Sequence, residues 1–164
     1  MKKFLIMMLL SCAISTEMSA QEVYKYLHEK ASKVVHDANA DKTLRMFNQF
    51  KVDALDYMVI KMKEVMPDSS ATFLDEEAYA MNNFVSLYMR TMLNNRTEPT
   101  TFQVKLIQLF MDASISNPLF NDSDYELIHS YLNDKDGLTR FSLDTDWRRA
   151  YLAAATELKK MKKL

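Results

Sequence analysis

The sequence predicts an all-α protein, a compact bundle of about six helices. Glycine occurs once and proline three times in 164 residues, and apolar residues recur in four- and three-residue steps. Asp-, Asn- and Pro-containing turns separate these runs. Hairpins, phosphate-binding loops and dinucleotide folds all consume glycine at tight turns, and Gly137 stands alone. No repeat consensus appears, so a short helical-hairpin solenoid is the alternative architecture rather than the first.

The first helix is expected over Glu22–His36, with Val23, Tyr26 or Leu27, Ala31 and Val34 or Val35 on its apolar face. Asp41 can then cap a long second helix, Lys42–Val65, which carries Leu44, Phe47, Leu55, Met58, Met62 and Val65 or Met66 on one side. Pro67 ends it, because proline disfavours helical geometry in the residue before it. The third helix, Asp75–Asn94, has the clearest rhythm: Leu74, Ala78, Met81, Val85, Tyr88 and Met92 fall on one face. Pro99 suits the first turn of a fourth helix whose seam is Phe102, Leu106, Leu109 and Ala113, flanked by Ile107 and Phe110. Ser123 and Glu126 match a capping box for a short fifth helix ending near Leu132. Asp144 or Thr145 is placed to cap the last helix, in which Trp147, Tyr151, Ala154, Leu158 and Met161 repeat the spacing. Lysines at its C-terminal end suit the helix dipole.

Residues 1–20 read as a bacterial secretory signal: a basic Met1-Lys2-Lys3, an apolar run from Phe4 to Ile14, and a polar stretch closing on Ala20. Cleavage after Ala20 leaves residues 21–164 as one all-α domain. In the alternative, Leu9-Leu10-Ser11-Cys12 acts as a lipobox and Cys12 becomes a lipid-modified terminus; only then is the membrane a partner. Cys12 is the sole cysteine, so an intramolecular disulfide is excluded. The expected location is the periplasm or the exterior. A formal charge of −1 gives no basic field for nucleic acid.

Few residues point to chemistry. His28 and His36 lie eight residues apart, and His129 is distant in sequence; a zinc site needs three or four placed ligands, and no His-Glu-x-x-His occurs. Met58, Met62 and Met66 form a ladder, with Met89 and Met92 on the next helix. Thioethers suit Cu(I), but interleaved Leu55, Val59 and Val65 mark a packing face. The stretch Asn121–Asp146 carries a formal charge of −5. With Gly137 at the sixth position of a calcium loop, Leu132 and Leu143 fall where acids are required, so the EF-hand register fails. Glycoside hydrolysis needs two carboxylates facing across a cleft, and no pair stands out. No nucleophile elbow or P-loop is present. No cofactor is implied.

Phe120-Asn121-Asp122-Ser123-Asp124 and Phe141-Ser142-Leu143-Asp144-Thr145-Asp146-Trp147, together with the end of the signal, resemble small exported helical proteins of Bacteroidetes. The likeness covers mainly Pro118–Trp147 and implies no activity. The expectation is therefore a non-catalytic module that binds a protein or small ligand, with Trp147, Phe141, Asp144 and Asp146 as interaction residues. The alternative is a hydrolase using acids of the 121–146 segment.

Overall fold

The computed structural model describes residues 22–134 and 137–161; the signal, Ala20 and Cys12 lie outside the described residues. Among these residues all regular structure is helical: α1 (Glu22–His36), α2 (Lys42–Val65), α3 (Ala71–Asn94), α4 (Thr100–Ile115), α5 (Tyr125–Ile128), α6 (Ser130–Asn133) and α7 (Trp147–Met161). α3 packs against α1, α2, α4 and α7, and α4 also packs on α7. A solenoid element touches only its neighbours. Contact of α3 with both α1 and α7 makes this a bundle.

Helix starts follow local hydrogen bonding. Asp41 caps α2 by accepting the Thr43 and Leu44 N–H groups at 2.8 and 3.2 Å. α3 begins a turn earlier than its apolar rhythm suggests, because the Ser70 hydroxyl accepts the Phe73 N–H at 3.2 Å. Pro99 sits at the cap position of α4, one residue before the first turn.

Two expected caps are corrected. Asp124, not Ser123, caps α5, accepting the Leu127 N–H at 3.1 Å; an ionised carboxylate is the stronger acceptor at a helix start. The expected fifth helix is also broken at His129 into two single turns, α5 and α6. At α7, Asp146 accepts the Arg149 N–H at 3.0 Å, while Asp144 and Thr145 are engaged elsewhere.

The α3 seam is buried from Leu74 through Tyr88, with Met92 half-buried. Leu44 and Val65 are exposed instead of sharing the α2 face, which is filled by Phe47, Phe50, Ala54, Leu55, Tyr57, Met58 and Met62. Phe84 lies edge-on to Phe110, Phe141 and Trp147, with ring centroids 5.4, 5.0 and 5.5 Å away. Phe50 meets Phe141 and Trp147 at 5.5 and 5.9 Å. Such edge-to-face pairs contribute about 0.5–1.5 kcal/mol each beyond area burial. Phe141 and Trp147 thus join α2 and α3 in one aromatic core.

Candidate functional site

Trp147, Phe141, Asp144 and Asp146 all lie inside the fold, with Trp147 at 0% exposure. They bracket an irregular segment, residues 141–147, that is buried throughout. Buried irregular backbone must find partners, and neighbouring side chains supply them. The Ser114 hydroxyl accepts the Ser142 N–H at 2.9 Å and lies 2.8 Å from the Thr145 hydroxyl. The Thr145 hydroxyl also donates to the Ser142 carbonyl at 2.8 Å.

Asp144 organises the chain opposite. Its Oδ1 accepts the N–H groups of Leu119 and Phe120 at 2.9 and 2.8 Å, and its Oδ2 accepts that of Asp122 at 2.9 Å. Asn121, inside this loop, takes a left-handed φ of 54°, a conformation asparagine tolerates better than most residues. The two segments therefore form a structural clasp: 119–122 wraps the carboxylate that 141–147 presents.

Other acids of the segment have structural partners as well. Asp122 accepts from Lys61 Nζ at 2.9 Å and from the Tyr57 hydroxyl at 3.0 Å. The lysine hydrogen bond, helped by the Asp124 N–H, holds the Asp122 carboxyl below the usual range. Burial, with Asp144 nearby, pushes the Tyr57 phenol up. Asp146 pairs with Arg149 at 3.2 Å as well as capping α7.

Histidines and methionines divide differently. His28 lies 3.0 Å from Asp56, His36 Nδ1 lies 2.8 Å from the Ser32 carbonyl, and His129 stacks near Tyr125. Among the described residues no three His, Cys, Asp or Glu side chains gather as metal ligands. Met58 and Met62 are core, whereas Met89 and Met92 line an open groove.

That groove lies where the start of α2, the C-terminal half of α3 and α4 diverge, with residues 137–140 completing its wall. Its volume is about 890 Å³, within the range of small-molecule sites. Phe47, Tyr88, Met89, Met92, Ile107 and Met111 form its apolar lining. Leu93 and Val104, also in the lining, are 62% and 55% exposed. Arg90 and Arg140 are its charged residues, and among the described residues no carboxylate lines it. The Tyr88 hydroxyl donates to the Leu138 carbonyl at 3.0 Å, and Thr139 is buried. Together these hold the loop that presents Arg140. Burial pushes the Tyr88 phenol up, against the opposing effect of Arg140.

The sequence reading missed this site. A signal existed: Leu87, Met89 and Leu93, beside the seam that ends at Met92, clothe more of α3 than one buried face requires. It also missed Glu77, which is fully buried although charged. Glu77 falls midway in the step from Leu74 to Met81, on the apolar side. Lys51 is a third such group: its amine donates to Asn82 at 2.8 Å, and burial, aided by Lys30, pushes it down to about 8.

No protein-family model matches the chain, and no curated protein or solved structure matches it.

Proposed function

We propose that the protein is an exported, non-catalytic binding module and that the groove between α2, α3 and α4 is its ligand site. The observation that carries this reading is the open apolar lining: Leu93 and Val104 face solvent beside three methionines in a concave space of about 890 Å³. Contiguous exposed apolar surface is costly to leave uncovered and commonly marks a binding site. Methionine suits such a surface because its unbranched, polarizable chain adapts to different occupants. The basic-apolar-polar order of residues 1–20 supports export. A catalytic use of the 121–146 acids gains no support, since Asp122, Asp124, Asp144 and Asp146 each hold backbone or a neighbouring side chain.

Methyl-labelled methionine separates groove from core in one NMR experiment. Titration with a panel of neutral, anionic and cationic alkyl amphiphiles should move the Met89, Met92 and Met111 signals saturably with at least one of them. Met58 and Met81, buried in the core, should stay in place. Val104→Trp should abolish the effect by filling the groove. Absence of saturable shifts across the panel would overturn the proposal, as would shifts that survive that variant.

A further inference from the structure

We infer that the groove binds a straight-chain fatty acid, with its alkyl chain along the methionine-lined floor and its carboxylate held by Arg90 and Arg140. This rests on the groove being the ligand site. Charge complementarity selects the head group. Both arginines line the groove, both are exposed, and neither has an ion-pair partner among the described residues. The other described charged residues stay off the lining, so its formal charge is positive and an anion is the complementary ligand. Arginine matches a carboxylate with two parallel N–H donors.

The lining selects the tail. Met89, Met92, Met111 and Ile107 give an adaptable apolar surface that accommodates a flexible alkyl chain, and the neutral polar residues Thr43, Ser86, Gln103 and Gln108 add no charge to it. The concave space of about 890 Å³ is the size of a small-molecule site. Arg140 is presented by a held loop rather than a free one, through the Tyr88 hydroxyl at 3.0 Å from the Leu138 carbonyl. The head-group site is thus partly built before ligand arrives, which lowers the ordering cost of binding.

The test compares dodecanoate, dodecanol, dodecyltrimethylammonium and octanoate on the full folded domain, by titration calorimetry and the methionine methyl signals. Dodecanoate should bind one to one and about tenfold or more tighter than dodecanol, as expected for charge-assisted hydrogen bonds. Octanoate should be weaker, by up to about fourfold for each methylene removed. An Arg90→Gln, Arg140→Gln double variant should weaken dodecanoate about tenfold or more and so remove its preference over dodecanol. Both side chains are exposed, so the variant tests recognition rather than folding. Equal binding of acid, alcohol and ammonium would overturn the fatty-acid inference while the groove reading stands. So would saturation of the groove by an acidic amphipathic peptide with dodecanoate inert. Failure of every probe to move the groove methionines would overturn both.

Discussion

Glu77 Oε2 on α3 accepts the backbone N–H of Trp147 at 2.8 Å, so the first N–H of α7 is satisfied by a residue seventy positions earlier. Its other oxygen accepts from Arg148 Nε at 2.6 Å. One buried carboxylate therefore ties α3 to the start of α7, where Trp147 joins the aromatic core. A helix start normally finds its acceptors nearby; here tertiary packing supplies one of them.

Glu77→Ala should lower stability by at least about 1–3 kcal/mol, the cost of stranding a buried donor, with a cavity adding to it. Arg148 keeps Glu76 as a partner, so its charge is not left unpaired. Urea unfolding measures the effect; an unchanged midpoint would mean that water reaches the Trp147 N–H.

The pH dependence of Glu77 has a definite sign. Burial, reinforced by Asp146, raises its carboxyl above the usual range despite the Trp147 N–H and Arg148. A raised carboxyl contributes stability below its unfolded value, and that contribution is lost as pH rises through the folded value. The native protein should therefore gain stability relative to Glu77→Gln as pH falls from 7 to about 4. A relative loss over this window would show that Arg148 outweighs burial.

Asp122 should behave in the opposite sense. Lys61 holds its carboxyl low, so its contribution is present above the unfolded value and disappears as pH falls through the folded one. Below about pH 4 the native protein should lose more stability than Asp122→Asn does. Parallel acid-unfolding curves for the two chains would count against this pairing.

Asp144→Asn removes an acceptor that no rotation of the amide restores. Its two oxygens serve three N–H groups, and the amide nitrogen must face one of them donor to donor. A loss of about 1–3 kcal/mol is expected from one stranded donor. Asp144→Ala should cost more, and hydrogen exchange at Leu119, Phe120 and Asp122 should accelerate in both. Exchange unchanged at these amides would place the clasp elsewhere.

The two serine and aspartate candidates at the α5 start can be separated directly. Asp124→Ala should cost about 0.5–2 kcal/mol, near the lower end because α5 is a single turn. Ser123→Ala should stay within about 0.5 kcal/mol. A larger effect at Ser123 would restore it as the cap.

Local sequence determined the helices. The four-three rhythm of Leu74, Ala78, Met81, Val85 and Tyr88 specifies a buried face whatever packs on it. Pro67, through its effect on the backbone before it, and Asp41, through its side-chain cap, delimit α2 by interactions that reach only a few residues. Tertiary structure alone chose among Asp144, Thr145 and Asp146, because each can cap a helix in isolation. The distant amides at 119–122 recruit Asp144, Ser114 engages Thr145, and Asp146 is left to start α7. The groove is likewise a property of three helices diverging. Periodicity shows that α3 carries apolar residues beyond one face, but which neighbour covers them depends on contacts between elements far apart in sequence. Met58 is wholly enclosed in the core, whereas Met89 and Met92 are half-buried, packed against the core on one side and lining the groove on the other.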